Sequence, residues 1–229
     1  MAREFTKNML IMLIAIMIGV VIITYFIADI VRRTQIETLT VEHAAEIQKI
    51  NYRNENFTNH VLQGTVKMDS ARELREVGNY YFDFALFWYA NAASTYNTTL
   101  RVSYCNRCID NCSDAMNNYL SSNDKFKISK PYFEKAKEYT DNEKYLELLG
   151  YYVSFSQSGI NITTLRYNAS RYLKQAAENL SQNNTENVTM LMVLFNETEM
   201  LYMDQLVMYN TYKEQMGEYL FFDTIREPH

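Results

Sequence analysis

No proline interrupts the first 130 residues, and the chain of 229 residues holds only two prolines and six glycines in all. Tight turns and bulges draw on those two residue types, so a sandwich, a barrel or a string of small modules is excluded and an all-α fold is expected. A hydrophobic share of 48% is enough to bury a core. The balance of 22 basic to 27 acidic side chains, formally −5, carries no electrostatic footprint for nucleic acid.

One segment is different in kind. From Met9 to Val31 the chain is almost purely apolar, and Leu10 to Ala28 contains no charge. At about 1.5 Å per residue that stretch spans roughly 28 Å, the thickness of a bilayer's hydrocarbon core. A cleaved secretory signal would be shorter and would end in a small-x-small site; Thr24-Tyr25-Phe26-Ile27-Ala28-Asp29 offers none. The expectation is a transmembrane signal anchor over residues 9–31, with residues 1–8 as a short cytoplasmic N-terminus. Arg3 and Lys7 on one flank balance Arg32 and Arg33 on the other, so charge alone leaves the orientation tied.

The asparagines break the tie. The N-glycan acceptor pattern Asn-x-Ser/Thr occurs at Asn56, Asn97, Asn111, Asn161, Asn168, Asn179, Asn183, Asn187 and Asn196. With 22 Asn, and Ser and Thr together at 30 residues, chance would supply roughly three such patterns. All nine lie C-terminal to the apolar segment. They place the C-terminal domain on the extracytoplasmic side of a cell membrane, with N-linked glycans and the lipid bilayer among its partners.

Beyond the anchor, a spacing of alternating three and four is readable through Ile47, Ile50, Asn54, Phe57, Val61, Gly64, Met68, Ala71, Arg75, Gly78, Phe82, Ala85, Tyr89 and Ala92. That is a bundle or coiled-coil seam. A helix from Thr34 to Tyr96 would measure roughly 95 Å, with Gly64 and Gly78 as the points where a break is expected. Asn97-Thr98-Thr99 reads as a turn before a helix from Leu100 to Leu120, and Ser121-Ser122-Asn123-Asp124-Lys125 reads as a loop. Ser129 and Pro131 read as helix-start signals, and Asp141-Asn142-Glu143-Lys144 as a restart or a kink. A second seam follows through Tyr145, Leu148, Tyr152, Phe155, Gly159, Ile162, Ala169, Leu173, Ala176 and Leu180, and places Asn161, Asn168 and Asn179 on one stripe opposite it. Gln182-Asn183-Asn184-Thr185 is the next turn, with Thr185 capping a last helix to about Phe222. The expected architecture is a transmembrane helix continuing into an elongated antiparallel bundle of about four long helices: a stalk over 32–76, a bundle over 77–222 and a tail over 223–229.

Three features invite a functional reading. The run Tyr80 to Tyr89 holds seven aromatics in ten residues. It is either the centre of the core or an interface, with Tyr80, Tyr81, Phe84, Phe87 and Trp88 as its contacts and Asp83 seeking a partner among Arg75, Arg101 and Arg166. Cys105, Cys108 and Cys112 share one helical face; four ligands for a closed zinc site are lacking, so the choice lies between buried thiols and an intermolecular disulfide. Arg75 and Arg166 interrupt apolar seams, where such residues fix register.

No nucleophile elbow, phosphate loop or His-Glu-x-x-His is present in the sequence. Neither an enzyme nor a cofactor or metal site is expected. The leading functional expectation is a structural or accessory subunit of a surface assembly or membrane complex, partnered by other membrane or surface proteins or by further copies of itself. The alternative is a ligand-binding or sensory ectodomain that signals through a membrane partner, which would need a cavity at Arg166 or the tyrosines.

Overall fold

The computed structural model describes residues 2–217; within its first helix the side chains of residues 2–16, 18 and 22 lie outside the description. The described residues form α1 (Ala2–Ser94), α2 (Thr98–Ala136), a 3-10 turn (Lys137–Tyr139), α3 (Glu143–Ser181) and α4 (Thr185–Gly217), with no strand. The all-helical bundle expected from the scarcity of Gly and Pro is what forms. The chain divides into two compact units between Arg53 and Asn54.

In the first unit, Thr24, Thr34, Thr38 and Thr40 each return their hydroxyl to the carbonyl four residues earlier, and Asp29 pairs with Arg33 at 2.9 Å. Its described side chains are largely exposed, Ile36, Leu39, Ile47 and Ile50 among them. Within the apolar segment 9–31, the side chains of residues 9–16, 18 and 22 are outside the description. Among the described residues no helix is long and apolar enough to cross a membrane.

The second unit is the bundle. It takes in α1 from Asn54, not from residue 77, because Val61, Met68 and Ala71 are already buried in its core. The two seams read from spacing are its buried stripes: Val61, Met68, Ala71, Phe82, Ala85 and Ala92 on α1, and Leu148, Tyr152, Phe155, Ile162, Ala169, Leu173 and Ala176 on α3. On α4, Leu191, Phe195, Tyr202 and Tyr209 face inward as the spacing predicts. Residues 218–229, which include Tyr219, Phe222 and the expected tail, lie outside the described residues.

The expected breaks at Gly64 and Gly78 do not occur: α1 is helical through both. They are contact points. α2 carries Tyr119, Phe126 and Phe133 at seven-residue spacing, all fully buried. Tyr119 seats on Gly78 and Phe133 on Gly64 of α1, while Phe126 between them seats on Gly159 of α3. Each glycine is a notch that lets an aromatic ring approach the neighbouring backbone.

The expected loop at 121–125 and helix start at 129–131 are also corrected, since α2 runs unbroken from Thr98 through both. Of the polar residues that suggested a loop, Ser122 and Asn123 are buried and satisfied by neighbouring helices. The Ser122 hydroxyl donates to the Ala71 carbonyl at 2.6 Å. The Asn123 amide donates to the Ile160 carbonyl and the Thr163 and Thr164 hydroxyls at 2.8–3.0 Å. Ser129 meets Ser156 at 3.0 Å. Pro131 stands exposed inside α2, where its missing N–H leaves the Lys127 carbonyl on the outer side without its helical donor.

The turns follow local chemistry. Asn97 caps α2 by accepting from the Leu100 N–H, and Asn142 caps α3 by accepting from Lys144. Between α3 and α4, Asn183 takes a left-handed φ of 58°, and the Asn184 N–H returns to the Asn179 carbonyl at 3.0 Å in a Schellman closure. Asn184, rather than Thr185, then faces the Asn187 N–H at the start of α4.

Candidate functional site

The aromatic run of α1 divides between two faces. Phe82 and Ala85 point inward; Phe82 stacks on Phe195 at 6.2 Å and meets Tyr119 edge-on. Trp88 stacks on Tyr104 of α2 at 5.7 Å with Arg107 over its face at 4.5 Å, and Tyr81 packs against the same core region. These two proposed contact residues are therefore packed within the bundle. Tyr80, Phe84 and Phe87 instead stand 59%, 40% and 56% exposed on the opposite side. The run is neither a core centre nor wholly a surface, because α1 is an outer helix with one face in the core.

At about 100° per residue, Leu62, Val66, Glu73, Tyr80, Phe84 and Phe87 lie within roughly 40° of one direction, pointing away from the seam. Val77 borders them, also exposed. Tyr80 meets Phe84 edge-on at 4.8 Å, so the two rings form one ridge. Along one edge runs a row of exposed carboxylates, Asp69, Glu76 and Asp83, at seven-residue intervals, with Glu73 beside it. Arg72 pairs with Asp69 at 3.2 Å. Glu73, Glu76 and Asp83 form no ion pair among the described residues, and Asp83 is not matched by Arg75, Arg101 or Arg166. A groove of about 530 Å³ opens between Glu73, Glu76, Val77, Tyr80 and Tyr81.

Each of those arginines has another role. Arg166 reaches Glu199 of α4 at 2.6 Å and lies between the rings of Tyr202, 3.7 Å away, and Phe82, 4.6 Å away. Burial opposes its charge, but Glu199 together with Tyr202 and Tyr119 outweighs that effect and holds its pKa above the ordinary value. For Glu199 burial prevails over Arg166, and its carboxyl is pushed upward. Arg75 lies 4.6 Å over the ring of Tyr209, with its Nε and Nη1 buried and without a hydrogen-bond partner among the described residues. Arg101 ties the two turns at one end of the bundle together, donating to the Asn183 side chain at 2.8 Å and to the Thr95 carbonyl at 3.1 Å.

Cys105, Cys108 and Cys112 are fully buried free thiols. Cys108 and Cys112 approach to 3.9 Å. Contact with Cys112 and burial push the Cys108 thiol up, and burial raises Cys105 to about 11. The intermolecular disulfide is thereby corrected: the folded bundle does not present these sulfurs. Among the described residues no three His, Cys, Asp or Glu side chains converge as a metal site.

The acceptor asparagines distribute unevenly. Asn97, Asn183, Asn187 and Asn196 are exposed, whereas Asn56, Asn111, Asn161, Asn168 and Asn179 are half-buried. The Asn161 amide bonds Gln205 of α4 at 3.1 Å, so the stripe on α3 is partly covered by α4. At Asn97 the capping atom is Oδ1, while a glycan is carried on Nδ2, so capping and glycosylation are compatible. Asn97, Asn179, Asn183 and Asn187 gather at the end of the bundle that Arg101 fastens. Residues 57–96, which carry the aromatic ridge, contain no acceptor pattern.

Sequence reasoning had no means of finding Glu199 as the partner of Arg166, because the two are 33 residues apart on different helices. It also did not single out the carboxylate row. Comparisons of the chain with protein-family models, curated proteins and solved structures find no match.

Proposed function

We propose that this chain is a single-pass, membrane-anchored and N-glycosylated helical ectodomain that serves as a structural or accessory subunit of a cell-surface assembly or membrane complex. The observation that carries the reading is the outward face of α1. An aromatic ridge stands in solvent on residues 57–96, a stretch free of acceptor patterns, while α2, α3 and α4 each carry at least one. A glycan is bulky and solvated and keeps other proteins away, so a docking face must be free of them. Exposed clustered aromatics are what protein interfaces use.

The anchor rests on the uncharged segment 10–28, and the orientation on the position of the nine acceptors. Ligand capture between the helices is less well supported. Arg166 is packed between two rings and paired with Glu199.

The test is membrane fractionation of the native protein, with glycan removal and site mapping. The expected outcome is retention in the bilayer after alkaline extraction, a mass above the bare polypeptide, and occupancy concentrated at the exposed Asn97, Asn183, Asn187 and Asn196. An extractable protein of polypeptide mass would overturn the reading.

A further inference from the structure

We infer that the outward face of α1, from Leu62 to Phe87, docks an amphipathic helix of a partner protein whose apolar stripe is flanked by lysine or arginine. The inference rests on the surface-assembly reading for its setting and adds the chemistry of the partner. Two outward faces of the bundle are apolar. That of α4 exposes Met190, Val193, Met200 and Val207, but the exposed acceptor Asn196 sits among them. The face of α1 has no acceptor, and from Val77 through Tyr80 and Phe84 to Phe87 its exposed apolar residues recur at the three-four spacing that a second helix would match.

Charge selects the occupant. The row Asp69, Glu76 and Asp83 repeats every seven residues along the edge of the ridge, the interval at which the flanking positions of a packed helix recur. With Arg72 compensating Asp69 alone, Glu73, Glu76 and Asp83 are left for cations from outside. A second copy of this chain cannot supply them. Parallel pairing of two α1 faces sets Glu73 and Glu76 against themselves, and antiparallel pairing about Tyr80 sets them against Phe84 and Phe87. Like charges in contact repel, and carboxylates desolvated against rings lose hydration without gaining a partner. A helix with basic flanks meets both needs: its apolar stripe covers Tyr80, Phe84 and Phe87, and its cations meet the carboxylate row.

The experiment uses the full chain in zwitterionic nanodiscs, with empty nanodiscs subtracted. The probes are a synthetic three-heptad helix with leucine at its core positions and lysine at its flanks, and its twin with glutamate flanks. The lysine helix is expected to bind, more weakly as salt rises, and the glutamate helix at least about tenfold less. Phe84→Ser with Phe87→Ser, and separately Glu76→Lys with Asp83→Lys, are each expected to lower affinity by about tenfold or more. All four residues are exposed, and circular dichroism of each variant checks the fold. Met200→Ser with Val207→Ser on α4 is expected to change nothing. Equal binding of the two probes, or binding indifferent to the α1 variants, overturns the inference. So does self-association of the chain that the Phe84 and Phe87 changes abolish, since the face would then belong to a second copy. An unglycosylated chain that still binds the lysine helix through α1 would defeat the surface reading and leave this one standing.

Discussion

Phe133 lies so close to Gly64 that a Cβ on the glycine would stand 2.7 Å from the ring. The ring cannot retreat, because Tyr152 stacks on its other side at 4.7 Å. Phe126 over Gly159 is held in the same way by Phe155 and Tyr209, and Tyr119 over Gly78 is anchored by its hydroxyl donating to Asn79 at 2.8 Å. Alanine normally stabilises a helix interior by up to about 1 kcal/mol over glycine. Overpacking a filled core costs about 1–3 kcal/mol and outweighs that gain. Gly64→Ala and Gly159→Ala are expected to lower the Tm. Gly150→Ala, where nothing lies within 4 Å, is expected to raise it. Thermal unfolding followed by circular dichroism checks this; a rise in all three would show that the notches are not filled.

Asn123 makes the strongest claim about why α2 does not break at 121–125. Its amide bonds three oxygens of α3 at 2.8–3.0 Å, so helix and neighbour are fastened at the point where composition suggested a loop. Asn123→Ala leaves buried Thr163 and Ile160 acceptors with fewer donors, and a loss of about 1–3 kcal/mol is expected. Urea unfolding measures it. Hydrogen exchange is expected to accelerate locally across residues 119–127. A variant as stable as the parent would mean that the buried network contributes nothing.

The helices were legible in the sequence wherever burial follows spacing. Val61 to Ala92 and Leu148 to Ala176 pack as their three-four rhythm requires. What misled was chemistry that serves two purposes. Ser122, Asn123 and Ser129 are loop formers when solvated and helix–helix fasteners when buried, and composition does not distinguish the two. Gly64 and Gly78 likewise read as hinges, yet each accommodates a ring. In the aromatic run the spacing put Phe82 and Ala85 on the seam, which leaves Tyr80, Phe84 and Phe87 to solvent, but it did not show that Trp88 turns to α2.

Arg166 and Glu199 form a pair whose side chains are only 15% and 25% exposed, and neither is fully satisfied: Arg166 Nε and Glu199 Oε1 lack partners. Removing one member strands the other's charge in the core, so Arg166→Met and Glu199→Met are each expected to cost about 3 kcal/mol. Removing both replaces two imperfectly compensated charges by apolar volume among Phe82 and Tyr202. The double variant is expected to recover most of the loss. A double-mutant cycle in urea reads the coupling directly. Additive losses would mean that each residue acts through its own packing rather than through the pair.

The buried hydroxyls and thiols make the bundle sensitive to alkali. Burial, with smaller contributions from Cys108 and Cys105, pushes Tyr89 up to about 12. Burial raises Tyr152 to about 12, Cys105 to about 11, and Tyr119 and Tyr209 as well. The unfolded chain releases these protons near the ordinary values of 9.0 for Cys and 10.0 for Tyr, while the folded chain retains them. Between those limits the folded state binds more protons, so stability is full below about pH 9 and falls as pH rises toward 11–12. Urea midpoints are therefore expected to decline steadily across that window, and Tyr89→Phe to flatten the decline. In the absence of denaturant, phenolate absorbance from the buried tyrosines and labelling of the three thiols should appear together with the loss of helical signal. Titration of these groups in a chain that keeps its full helicity would show that the core admits hydroxide without opening.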